Sequence, residues 1–211
     1  MVVSHDAHEN CGGEGGPTIV GLGARGVKYQ NQAKLGGFSA IAGGLLWVAS
    51  IAWYAQQPIG EDDLKEGWET FNRLVTLIPV FFAAPLYSIH RASTAHHESV
   101  PRSLLAVLVG IALAAVFRLL VDIGMLPAPF SILAIMFFAL TFLWYLAATL
   151  RAGAVSRVAT AVLLATTIVM LAFISTDTDF VWFAAPFGVA WVAVGYTLLK
   201  SAGASLSANP T

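Results

Sequence analysis

The chain has 211 residues, of which 57% are hydrophobic and only 11% charged. Soluble domains carry about 25% charged residues, so this composition excludes an ordinary water-soluble domain and indicates a protein surrounded by lipid. A net charge of −1 excludes a broad basic surface for nucleic acid, and a single cysteine, Cys11, excludes an internal disulfide.

Six apolar segments follow one another along the chain. Each is close to the 20 or so residues that a helix needs to cross about 30 Å of hydrocarbon. They cover residues 36–56, 71–90, 103–124, 129–150, 157–175 and 179–200. Because the connections between them are short, neighbouring helices are expected to run antiparallel. The sequence therefore predicts an all-α, polytopic transmembrane bundle over residues 31–200. The polar segments 1–30 and 201–211 are predicted to be flexible tails.

The charges of the connecting segments alternate in sign. Basic residues flank one set of helix ends: Arg25, Lys28, Lys34, Arg91, Arg102, Arg151, Arg157 and Lys200. Acidic residues predominate at the opposite ends: Glu61, Asp62, Asp63, Glu66, Glu69, Asp177 and Asp179. Basic residues in short loops mark the cytoplasmic side of a membrane. We therefore expect a multi-pass protein of the plasma membrane with both termini in the cytoplasm.

A few charged residues lie inside the apolar segments and need an explanation. Arg118 and Asp122 are four positions apart in span 3, so they share one helix face and can pair. The outer ends of spans 2 and 6 place further polar residues at the same level: Glu69, Asn72, Arg73 and Asp179. One interpretation is an outward-facing polar pocket that binds a small polar or anionic solute. The other is a structural ion-pair network that ties spans 2, 3 and 6 together.

Two groups of residues have side chains that transition metals prefer. His5, His8 and Cys11 lie in the N-terminal tail, and His96 and His97 lie in the connection after span 2. Both groups fall on the predicted cytoplasmic side, but neither completes a tetrahedral ligand set in a regular structure. They remain weak candidates, and the sequence indicates no particular cofactor.

Three functions are compatible with these features. The first is a non-catalytic accessory or structural subunit, associated with a second copy of itself or with a larger membrane complex as well as with the lipid bilayer. Its contacts would use small-residue or aromatic faces. The small residues Gly36, Gly37, Gly43 and Gly44 fit close helix packing, either within the chain or between chains. The second is a transporter or ligand-binding protein with its site around Arg73, Arg118 and Asp122. The third is a metal-dependent enzyme at the cytoplasmic interface, for which the sequence offers the least support.

Overall fold

The computed structural model describes residues 20–59, 66–93, 99–127, 129–152, 157–173 and 180–207. These residues fold into helices and contain no strand. The helices are α1 (Val20–Ala55), α2 (Trp68–Leu77), α3 (Pro79–Ser93), α4 (Ser99–Asp122), α5 (Pro129–Ala152), α6 (Arg157–Phe173), the short 3-10 helix η1 (Phe180–Ala184) and α7 (Ala185–Ser207).

Several of the helical segments have the length and composition of membrane spans. Five are long and apolar enough to cross a bilayer: Gln30–Ala55, Trp68–Arg91, Arg102–Asp122, Leu133–Arg151 and Phe180–Gly203. The sixth apolar helix, Arg157–Ala172, is shorter. The prediction of a helical bundle built from membrane-length apolar helices is confirmed.

Large apolar side chains on the outside of the bundle agree with this conclusion. They occur on successive helices and include Leu45, Leu105, Leu133 and Val158, each more than half exposed. A soluble monomer rarely presents so much contiguous apolar surface to water, whereas lipid is the solvent that such a surface needs.

The first and last helices extend beyond their predicted ends into the segments predicted to be tails. Helix α1 begins at Val20, inside the segment 1–30, and α7 continues to Ser207, inside the segment 201–211. Residues 1–19 and 208–211 lie outside the described residues. For them, flexible tails remain a prediction.

The helices form a closed ring in chain order. Each packs on its neighbours in the sequence, and α7 returns to pack along α1. Gln30 near the start of the α1 span donates a 3.0 Å hydrogen bond to the carbonyl of Ala202 near the end of α7. Arg91 of α3 donates to Oε1 of Gln32 at the same level. We call this the Arg91 end of the bundle, and the opposite end the Asp122 end.

Two stripes of glycine let α1 pack closely on both sides. An added Cβ on Gly44 would lie 2.5 Å from the carbonyl oxygen of Gly188, and one on Gly195 would lie 2.6 Å from that of Gly37. On the other stripe, Gly36 and Gly43 face α3 instead. Such short approaches require residues without a side chain. The glycines therefore pack within the chain.

Aromatic rings from four helices fill the middle of the ring. We call Trp47, Phe82, Phe142, Phe187 and Trp191 the aromatic cluster. Phe82 and Trp191 stack with centroids 4.2 Å apart, and Trp47 meets Phe187 edge-on at 5.0 Å. All five side chains are buried. Aromatic pairs in these geometries add about 0.5–1.5 kcal/mol each beyond the burial of their area, so the cluster fixes the centre of the bundle.

Predicted span 2 is divided locally at Ile78, which keeps helical φ and ψ and donates its N–H to the carbonyl of Leu74 at 2.9 Å. Helix α2 ends at Leu77, and α3 begins at Pro79 after the single residue Ile78. Proline suits the first position of a helix because its fixed φ is helical and its missing N–H would be unpaired there. The break lies beside the cavity described below, where Pro79 is part of the wall.

Candidate functional site

The C-terminal turn of α4 positions two charged residues. Arg118 donates from Nη2 to Oδ1 of Asp122 at 2.8 Å, one helical turn away on the same face. The helix then stops at Gly124, whose φ of +76° is the left-handed conformation favoured by glycine. The N–H of Met125 reaches back to the carbonyl of Leu120 at 2.8 Å, as in a Schellman motif. Asp122 is therefore held on the last turn of α4.

Helix α2 brings a second arginine to the same carboxylate. Arg73 donates from Nε to Oδ1 of Asp122 at 3.2 Å, so both arginines use one oxygen atom. The ring of Phe71 in α2 stacks on Tyr54 of α1 with centroids 4.2 Å apart. This stacking anchors α2 to α1 and holds Arg73 over α4.

The remaining residues of the predicted cluster divide into three cases. Glu69 approaches Arg73 only to 3.9 Å, and its side chain is 84% exposed. Asn72 does not join the ion pairs but forms part of the cavity wall. Asp179 lies outside the described residues. The structure thus brings together Arg73, Arg118 and Asp122, with Glu69 at their edge.

The structure does not place the potential metal ligands named from the sequence. His5, His8, Cys11, His96 and His97 all fall outside the described residues. Within the described segments, no group of three or more histidine, cysteine, aspartate or glutamate side chains is arranged to hold a metal ion.

A cavity of about 380 Å³ lies inside the bundle, between the ion pairs and the aromatic cluster. Its volume falls in the range of about 300–1,000 Å³ that small-molecule sites occupy. Apolar side chains form most of its wall: Trp47, Trp68, Phe71, Val75, Pro79, Ala114, Ile135, Met136, Phe138, Ala139, Met170, Leu171 and Phe187. Three polar residues complete it: Asn72, Thr76 and Arg118.

Arg118 is the only charged residue among the described residues of this wall. Its side chain is 9% exposed, and its buried Nε has no hydrogen-bond partner in the described part of the chain. A buried guanidinium with an unsatisfied N–H is costly unless a further acceptor reaches it. The cavity therefore combines an apolar body with one under-satisfied cationic group.

The aromatic cluster closes the cavity on the side of the Arg91 end. Trp47 and Phe187 belong both to the cavity wall and to the cluster. Phe187 in turn contacts Phe82 and Phe142 edge-on, with centroids 5.8 and 6.2 Å apart. Among the described residues, the cavity therefore ends at this cluster, and we call it the half-cavity.

Most residues of the cavity wall carried no signal in the sequence. The charged pair stood out because charges are rare inside apolar helices, but Trp47, Ala114 and Met170 are ordinary residues of such helices. Asn72 and Thr76 are the exception, because polar side chains within an apolar segment are candidates for an inward-facing surface.

Comparisons of the sequence with protein-family models and curated proteins, and with solved structures, find no match. The assignment of a function therefore rests on the chemistry of the cavity and the charged residues beside it.

Proposed function

We propose that the protein is a membrane protein that binds a small, largely apolar solute in the half-cavity, with Arg118 as its polar contact. The observation that carries this proposal is the cavity itself, about 380 Å³ of partly open space beside a buried and under-satisfied arginine. Packed bundles contain few voids larger than a water molecule, so space of this size in the core favours an occupant.

The proposal includes the arrangement in the membrane. All six apolar segments cross the plasma membrane, both termini are cytoplasmic, and the Asp122 end faces outward. Support comes from the charged helix ends: Arg91 and Lys200 lie at one end of the ring, whereas Glu69 and Asp122 lie at the other. Basic residues prefer the cytoplasmic side.

Helix α6 is compatible with a sixth crossing although it is short. Its 17 residues rise about 26 Å, a few ångströms less than the hydrocarbon thickness. Such a mismatch is accommodated by local thinning or by flanking side chains that extend to the interface, and Arg157 at the first position of α6 is placed to do so.

The described residues of the cavity wall support binding of a solute rather than catalysis. None of the described wall residues is a carboxylate, histidine, cysteine or serine, so the wall offers no pair of groups for acid–base or nucleophilic catalysis. The glycines Gly36, Gly37, Gly43 and Gly44 pack inside this chain, so they offer no separate argument for the accessory role.

A substitution that fills the cavity tests the proposal. Ala114 is buried and forms part of the wall, whereas Ala112 on the same helix is exposed on the outside. We would reconstitute the wild type, Ala114→Leu and Ala112→Leu in lipid nanodiscs. Each would be titrated with decanol, decanoate and decylamine while tryptophan fluorescence is recorded, because Trp47 and Trp68 line the cavity.

We expect at least one probe to give a saturable response in the wild type and in Ala112→Leu, and a response about tenfold weaker or absent in Ala114→Leu. Probe that merely partitions into lipid gives the same signal in all three proteins. The proposal is wrong if no probe binds saturably, or if a folded Ala114→Leu protein binds as the wild type does.

A further inference from the structure

We propose that the solute carries a carboxylate, which binds to Arg118 while its apolar part fills the half-cavity. This inference rests on the proposed function and specifies the class of ligand. It starts from the incomplete hydrogen bonding of Arg118, which makes a single contact of 2.8 Å with Asp122 while its buried Nε has no partner among the described residues.

Arg118 shares its carboxylate partner with a second arginine. Arg73 and Arg118 both bind to the same oxygen of Asp122. Glu69, the other nearby carboxylate, is 3.9 Å from Arg73 and almost fully exposed, so water screens most of its effect. Among the described residues, two guanidinium groups thus share one well-placed carboxylate oxygen, which leaves Arg118 able to bind a further acceptor.

The shape of the guanidinium selects the chemical group. Its N–H groups lie in one plane and match the two oxygens of a carboxylate, which forms short, charge-assisted hydrogen bonds with them. A cationic solute has no acidic partner on the described wall, and a doubly charged phosphate would leave excess negative charge in an apolar space. A single carboxylate carries the negative charge that Arg118 needs and adds no excess charge to the apolar space.

The apolar side chains of the cavity wall determine the nature of the ligand's apolar part. Phe71, Phe138 and Met170 represent the apolar surface that the ligand must cover. Aliphatic and aromatic groups both suit such a wall, and methionine adapts to either shape. The ligand class is therefore an apolar monocarboxylate, taken up either from the lipid phase or from water.

Matched probes separate the carboxylate from the apolar part. Decanoate and decanol have the same chain length and differ at the head group, and benzoate carries the same head group on a water-soluble ring. We would measure the affinity of each probe for the wild type, Arg118→Leu, Arg118→Lys and Asp122→Asn in nanodiscs, by tryptophan fluorescence and by competition among the probes.

In the wild type we expect decanoate to bind at least about tenfold more tightly than decanol. Arg118→Leu should lose this preference and still bind decanol, since the apolar wall is intact. Arg118→Lys keeps the charge but not the planar donors, so the preference should fall severalfold. Asp122→Asn removes the competing carboxylate and should bind decanoate more tightly than the wild type does.

The inference is overturned if the wild type binds decanol as tightly as decanoate, or if the preference survives in Arg118→Leu. In either case, loss of decanol binding in Ala114→Leu would leave the proposed function standing. Should Arg118→Leu fail to fold, Asp122→Asn decides alone, because unchanged or weaker binding of decanoate there also contradicts the inference. Displacement of decanoate by benzoate would show that a water-soluble carboxylate reaches the site from the aqueous phase.

Discussion

Ser39 of α1 donates a hydrogen bond of 2.6 Å from its Oγ to the carbonyl oxygen of Phe81 in α3. This carbonyl is the one that loses its helical donor, because Pro85, four residues later, has no N–H. An unpaired carbonyl inside a bilayer is unfavourable, and side chains of neighbouring helices commonly replace the missing donor. The contact explains how α3 accommodates a proline in its interior.

Replacing Ser39 by alanine should therefore destabilise the bundle. We expect Ser39→Ala to lower the free energy of unfolding by about 1–2 kcal/mol, because the carbonyl of Phe81 is left without a donor on an apolar surface that excludes water. Reversible unfolding in mixed micelles measures it. The control is the same substitution in a Pro85→Ala background, where residue 85 again donates to Phe81. An equal loss in both backgrounds would show that the contact does not act through the missing N–H.

The close contact between α1 and α7 should tolerate no side chain at its glycines. An added Cβ on Gly188 would lie 2.7 Å from the carbonyl oxygen of Gly44, and backbone atoms cannot move aside cheaply. We expect Gly188→Ala to cost about 1–3 kcal/mol of unfolding free energy, as overpacking does.

Gly203→Ala on the same helix is the matched control. Nothing lies within 4 Å of its added Cβ, so the better helix propensity of alanine should raise the stability by up to about 1 kcal/mol. Both variants can be compared by thermal denaturation of the purified protein. Equal effects of the two substitutions would contradict the proposed packing of α1 against α7.

The two arginines beside Asp122 should differ in importance. Arg73 is half exposed, so we expect Arg73→Gln to change the unfolding free energy by less than about 1 kcal/mol. Asp122→Asn leaves Arg118, with its side chain 9% exposed, without its charged partner. That substitution should cost about 2 kcal/mol or more.

Decanoate should restore part of the stability lost in Asp122→Asn, because a ligand carboxylate takes the place of the missing one. A series of thermal melts with increasing decanoate, and with decanol for comparison, measures this effect. Equal stabilisation by both probes would indicate that Arg118 does not take part in binding.

The parts of the fold that depend on local spacing could be predicted from the sequence. Five of the six apolar segments correspond to helical segments long and apolar enough to cross a membrane, and the sixth to the shorter helix α6, because length and composition determine such a helix. Arg118 and Asp122 pair because four residues make one helical turn. Arg73 could be placed near them from its level in the predicted span alone.

The interior of the bundle could not be predicted in the same way. A helix that is apolar on every face has no polar side to show which face turns inward. The stacking of Phe82 on Trp191 and the position of Ala114 in the cavity wall depend on how each helix is rotated. The adjacent glycine stripes of α1 indicated close packing, but they did not show which helix each stripe would meet.

The break between α2 and α3 shows the limit of an apolar pattern. Hydropathy continues unbroken through Ile78 and Pro79, so predicted span 2 is a single segment. The interruption is local, because Ile78 keeps helical φ and ψ and donates its N–H to the carbonyl of Leu74.

Labelling of cysteines from one side of the membrane tests the proposed outward orientation of the cavity most directly. In a Cys11→Ser background, Asn72→Cys reports on the cavity and Arg91→Cys on the opposite end. With a membrane-impermeant maleimide on intact cells, we expect Asn72→Cys to react and Arg91→Cys to react only after permeabilisation. Reaction of Arg91→Cys in intact cells, or of Asn72→Cys only after permeabilisation, would contradict an outward-facing cavity.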